Sequence, residues 1–183
     1  IGDWDRHEDQ WRWAGFKDGD HYVYKAVPRD RDQTFFLNQG ILPWITRRKF
    51  AVRMNQKFDF DVPDMEGLVS QARRLDRRFL NHLSKEDWTK IAREMQDAFT
   101  DEVIEAAIND MPSQIVEING RTTIDKLRSR RDRLPELAEQ HYDILSKKVD
   151  ITGSDQREQF LIERLNDMET QVRVWSVSSK GNK

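Results

Sequence analysis

The sequence predicts an α+β domain, mainly helical, with a β-hairpin at each end. Three observations predict it. Aromatic and β-branched residues alternate on both sides of "KDGD" near the start. Apolar residues then recur at helical spacing through the middle of the chain. Alternation returns in "EQFLIERLNDMETQVRVWS" near the end. The chain has 183 residues, which suits one domain, or one domain with an appendage. Residues 1–150 read as a helical domain with N-terminal loops, and 151–183 as a hairpin and tail. No internal repeat is visible, and no linker is long enough to separate two domains.

The first hairpin pairs Trp11–Phe16 with Tyr22–Val27 through Lys17–Asp20. Pro28 brings no N–H to a ladder and marks the strand's end. From about residue 33 the period turns helical. Met65, Leu68, Val69, Ala72, Leu75, Phe79 and Leu83 fall on one face. Arg73, Arg74, Arg77 and Arg78 fall mostly elsewhere, as a solvated face. Ser84 is placed to cap the next helix, with Trp88, Ile91, Ala92, Met95, Ala98 and Phe99 as its apolar stripe. Thr100 caps a third, carrying Val103, Ile104, Ala107, Ile108 and Met111, and Pro112 ends it. Residues 121–148 read as helical and highly charged, with Pro135 a kink or restart. The last two strands turn around Asn166–Asp167.

Composition removes several function classes. Charged residues make up 35% and hydrophobic ones 37%, yet six Trp, three Tyr and nine Phe are enough to build a core. The formal net charge of −2 gives no global field toward nucleic acid or an anionic membrane. "RSRRDR" (Arg128–Arg133) includes an acid and sits among others, so no nucleic-acid partner is expected. No apolar run reaches the roughly 18 residues of a membrane span. There is no cysteine, hence no disulfide framework and no thiolate nucleophile. No signal peptide is visible and the chain opens without a Met, which reads as a segment of a longer polypeptide.

The chemistry concentrates in "GDWDRHEDQWRW". Residues Gly2–Trp13 carry four acids, two arginines, a histidine and three tryptophans. Phosphoryl transfer needs a carboxylate near the attacking hydroxyl and cations to neutralise the phosphates. In protein kinases the catalytic loop reads H-R-D-x-x-x-x-N, with the amide five residues after the aspartate. Asp5 and Gln10 have that spacing. A hairpin then leads to "VPRDRDQTFF", which supplies Asp30 and Asp32. Trp4, Trp11 and Trp13 read as packing under the loop. Trp11 and Trp13 would share a strand face, and the acids between them would point into a cleft. "HEDQW" is not a zinc H-E-x-x-H motif, because Trp11 occupies the second ligand position. "VWSVSSKG" lacks the G-x-S-x-G form of a nucleophile elbow. His21, His82 and His141 are scattered and read as surface or half-buried residues.

"DWDRHEDQW" followed by "PRDRDQTFF" resembles the catalytic and metal-binding loops of atypical kinases. The spore-coat CotH-like kinases have patterns of the type N-x-D-R-H-x-x-N and D-x-D-x-x-F, and lipid and secretory-pathway kinases share the D-R-H core. The likeness covers about the first 36 residues. It implies a kinase C-lobe-like helical domain that uses ATP with Mg²⁺ or Mn²⁺. It implies Asp5 as the base, Arg6 and His7 as braces of the loop, and Gln10 with Asp30 or Asp32 as metal ligands. The acceptor would be a hydroxyl of an unidentified protein or small molecule. Gln10 stands where the family has Asn, and no Gly-rich nucleotide loop is present, so this piece alone is expected to turn over no ATP. The tail "VDITGSDQREQFLIERLNDMETQVRVW" adds a resemblance to a segment of long envelope proteins of Bacteroidetes, which implies a cell-envelope or periplasmic location.

Two readings of the same residues stand beside each other. In one, the chain is part of a metal-dependent phosphotransferase. In the other, it is a non-catalytic helical accessory or interaction module, and Asp5, Arg6, His7 and Asp9 form an ion-pair network that pins the N-terminal loop. The first requires Asp5, Gln10 and one of Asp30 or Asp32 to converge. The second requires Asp5 or Asp32 to be tied up by Arg6, Arg29 or Arg31. A nucleic-acid-binding module would instead place the arginines on one continuous face.

Overall fold

A computed structural model describes residues 2–37, 40–46, 51–167 and 169–177. It is an α+β protein, mainly helical, with an antiparallel hairpin near each end. The chain divides into two compact units, Ile1–Val149 and Asp150–Lys183. Among the described residues no helix is long and apolar enough to cross a membrane.

The first hairpin is longer and tighter than its sequence pattern suggests. Strand β1 (Trp11–Asp18) pairs with β2 (His21–Pro28), from Trp11 opposite Pro28 to Asp18 opposite His21. Only Gly19 and Asp20 remain in the turn, so Lys17 and Asp18 belong to the ladder. Gly19 has φ +59°, the left-handed value that primed two-residue turns need and that glycine adopts without a Cβ penalty.

The helical period expected from residue 33 does not hold there. Asp32–Phe35 is a turn, and α1 is the short helix Ile41–Thr46. Residues 51–64 are irregular. In "FDFDVPD" the Asp59 and Asp61 carboxylates accept from the next residues' N–H groups, an alternative to helical bonding. The stripe from Met65 to Leu83 is two helices, α2 (Met65–Leu68) and α3 (Arg73–Leu80). Between them the Ser70 hydroxyl donates to Gly67 O at 2.7 Å, competing for a carbonyl that would extend the helix.

The later helices follow their signals. Helix α4 (Lys85–Ala98) starts in a capping box, Ser84 with Asp87. Helix α5 (Asp101–Asn109) is capped by Thr100. It ends three residues before Pro112, which leaves Met111 outside it. A short helix, α6 (Ser113–Ile115), continues through a π-helical turn (Val116–Gly120) into α7 (Arg121–Asp132). Pro135 restarts the chain as α8 (Leu134–Leu145), because its ring is accommodated in a first turn. Ile104, Ile108 and Ile124 form a core cluster, with Phe35, Met111 and Leu127 packed against it. In the second unit, β3 (Glu158–Arg164) pairs with β4 (Thr170–Ser176). The connection from Arg164 to Thr170 is longer than a two-residue turn, and Leu165 N–H bonds to Glu169 O at 3.0 Å.

Candidate active site

The open end of the β1–β2 hairpin brings the two candidate loops side by side. Trp11 lies opposite Pro28. One step further out, Arg29 N–H donates to Gln10 O at 3.0 Å. Residues 5–10 and 29–32 therefore leave the hairpin as neighbours, about one strand spacing (roughly 5 Å) apart where they leave it.

In the first loop, Gln10 Nε2 donates to Asp5 Oδ2 at 3.3 Å, closing the five-residue spacing on itself. The amide oxygen of Gln10 is the atom this bond leaves over. His7 Nε2 lies 3.6 Å from Asp5 Oδ1. Asp5 N–H is fixed by Asp3 Oδ1 at 3.0 Å. Glu8 receives Arg74 at 3.2 Å, so one of the α3 arginines does reach this loop.

In the second loop, Asp30 and Asp32 are exposed, and Asp32 N–H bonds to Asp30 Oδ1 at 3.3 Å. Among the described residues no cation pairs with either carboxylate. Arg31 turns the other way. It pairs with Asp3 at 3.0 Å and lies over the Trp11 ring, 4.4 Å from its centre. The next residues anchor the loop. Phe35 meets Phe58 edge-on at 5.1 Å, and Phe36 meets Trp4 at 6.1 Å. Helix α7 holds the segment carrying Phe58: Lys126 Nζ donates to Phe58 O at 3.1 Å, and Arg130 Nε to Asp59 O at 2.7 Å. Burial pulls the Arg130 guanidinium down to about 10, against the opposing effect of Asp59 and Asp61, so it stays charged at neutral pH.

Arg6 does not pair with Asp5. Its two terminal nitrogens grip the Asp76 carboxylate on α3, each at 2.6 Å, while His141 Nε2 of α8 stands 3.1 Å from the same group. Asp76 is only 2% exposed. Burial pushes its carboxyl up, but the His141 imidazole and the Arg6 guanidinium beside it outweigh that and hold it below the ordinary carboxylate range.

Asp76 and His141 escaped sequence reasoning, although a signal existed. Asp76 belongs to the stripe Val69, Ala72, Asp76, Phe79, Leu83, where the apolar pattern was assigned to Leu75. An acid on a buried stripe demands a cation. His141 stands between the buried Leu137 and Leu145, one helical turn from each.

The tryptophans are not a uniform core. Trp4 and Trp11 are half-buried, but Trp13 is 45% exposed and stacks on Phe79 at 4.9 Å. A lone two-stranded ribbon has too little neighbouring structure to cover both faces. The arginines are dispersed among acids: Arg128 and Arg131 pair with Asp101, and Arg133 with Asp61 and Glu136. Among the described residues no group of three or more His, Asp or Glu is gathered to hold a metal ion. No known protein family, curated protein or solved structure matches this chain.

Proposed function

We propose that the two loops at the open end of the hairpin form the metal and acceptor side of a phosphoryl-transfer site of atypical-kinase type. The observation that carries this reading is the hairpin register, with Arg29 N–H on Gln10 O, which sets the Asp5 loop beside the Asp30–Asp32 loop. A second supports it: Arg6 pairs with Asp76 and Arg31 with Asp3, so neither of these arginines ties up Asp5 or Asp32. Mg²⁺ and Mn²⁺ favour carboxylate oxygens, and Mg²⁺ is commonly held by one or two carboxylates with water and phosphate oxygens. Asp30 and Asp32 are donors of that type, and Gln10 Oε1 is a third. A bound cation would neutralise charge on the transferred phosphate. Asp5 accepts the proton of the attacking hydroxyl, and His7 and the Gln10 amide orient its carboxylate. ATP is the implied donor, and the acceptor is a hydroxyl of a protein or small molecule.

The alternative, a non-catalytic interaction module, is favoured by one observation: among the described residues no carboxylate cage for a metal is preformed. Calorimetry with Mg²⁺ or Mn²⁺, with and without ATP, separates the two. The kinase reading expects metal-dependent nucleotide binding that Asp32→Asn abolishes and Asp5→Asn leaves largely intact. Where transfer is measurable, Asp5→Asn lowers its rate by about a hundredfold or more. A folded wild type that binds neither metal nor nucleotide, alone and within a longer polypeptide, points to the interaction module.

A further inference from the structure

We propose that Asp76 and His141 are positioning residues for the Asp5 loop, acting through Arg6; only the kinetic part of this proposal rests on the phosphotransfer reading. Arg6 and His7 follow Asp5 directly, so whatever fixes Arg6 fixes the backbone from which the Asp5 carboxylate projects. Arg6 reaches 70 residues along the chain to a carboxylate 2% exposed, with both terminal nitrogens engaged at 2.6 Å. A planar fork on a planar carboxylate sets direction as well as distance. His141 approaches that carboxylate from a second helix at 3.1 Å, and the edge-on Trp88 ring, 5.0 Å away, holds the imidazole. Helices α3, α4 and α8 thus all bear on one side chain of the loop. A surface ion pair would not do this, because it holds neither partner in one orientation. Both terminal nitrogens of Arg6 are taken up by the buried Asp76, so the pair acts by holding the loop and not by touching substrate.

The test uses Arg6→Ala, Arg6→Lys and His141→Gln in the whole chain. The first readout is amide hydrogen exchange. Residues 5–10 should exchange at least about tenfold faster in Arg6→Ala, beyond any change in α4. Added guanidinium ion should restore most of that protection, and methylammonium should not, because only a planar two-pronged cation replaces the fork. Arg6→Lys should behave as unrescued for the same reason. His141→Gln should show a smaller loss in the same residues. The second readout is kinetic: phosphoryl transfer by Arg6→Ala should lose about a hundredfold in kcat with the KM for the metal–nucleotide complex nearly unchanged. Unchanged protection of residues 5–10 in Arg6→Ala, or equal rescue by guanidinium and methylammonium, overturns the proposal. If Arg6→Ala fails to fold, Arg6→Lys and His141→Gln decide it by the same protection pattern. A wild type without transfer activity, alone and within a longer polypeptide, sinks the phosphotransfer reading alone, since the exchange and rescue data still decide the positioning role.

Discussion

At the scale of single residues, one buried charge governs more than the dense motif that announces itself. Asp76 is buried between Arg6 and His141. Asn keeps the shape but loses the charge that Arg6 grips, so Asp76→Asn should cost about 1.5–3 kcal/mol, measured by urea denaturation at neutral pH. The pH dependence has a definite sign. The folded-state pKa of Asp76 is held below its unfolded value. Its contribution is therefore complete above the unfolded value of about 3.9 and is lost as pH falls through the folded value. Below about pH 4 the stability of the wild type should fall more steeply than that of Asp76→Asn. Parallel acid curves would exclude Asp76 as a source of acid sensitivity. The five-residue spacing of Asp5 and Gln10 was legible, but the bond from the Gln10 amide to the Asp5 carboxylate was not, since Gln10 was expected as a metal ligand. Asp76 and His141 were harder to read, since their partners lie 70 and 65 residues apart in sequence from each other's loop or helix.

At the scale of elements, local signals worked where a side chain meets its own backbone. The Ser84 hydroxyl accepts from Asp87 N–H at 3.2 Å, and the Asp87 carboxylate accepts from Ser84 N–H at 2.9 Å. Ser84→Ala should therefore cost about 1 kcal/mol, seen as a lower urea midpoint. Gly67 reverses an ordinary expectation. Alanine in a helix is normally favoured over glycine by about 1 kcal/mol. A Cβ at Gly67, however, would stand 2.5 Å from Arg53 O and 2.9 Å from Asp64 Oδ2. Arg53 is itself held by Asp64 and Glu66, so the carbonyl has little freedom to retreat. Gly67→Ala should destabilise by about 1–3 kcal/mol. A stabilised Gly67→Ala variant would show that this turn relaxes freely. Periodicity alone missed both the break between α2 and α3 and the irregular path over 51–64, because hydrogen bonds from Ser70, Asp59 and Asp61 compete there with the helix.

At the scale of the whole molecule, the second unit stands as a single hairpin. Phe160, Ile162 and Val174 on one face and Leu161 and Trp175 on the other remain exposed. A two-stranded ribbon by itself is marginally stable in water. Amides of β3 and β4 should thus exchange at least about tenfold faster than those of α4 and α8, where a capped helix packs against neighbours. Hydrogen exchange read by mass spectrometry checks this directly, and equal protection would mean that the hairpin is stabilised beyond its own ladder. Within the first unit, the ionic contacts of Arg128 and Arg131 with Asp101 join α7 to α5 around the isoleucine cluster.

What the sequence determined by itself lay within a few residues: two hairpins from alternation and turn chemistry, the caps at Ser84 and Thr100, and the restart at Pro135. Each depends on a side chain and a backbone group that are never far apart in the chain. The tertiary structure decided where Arg6 goes, which arginine reaches Glu8, and what anchors the Asp30–Asp32 loop. Those outcomes depend on which helix faces meet, and a buried carboxylate accepts whichever cation the packing delivers.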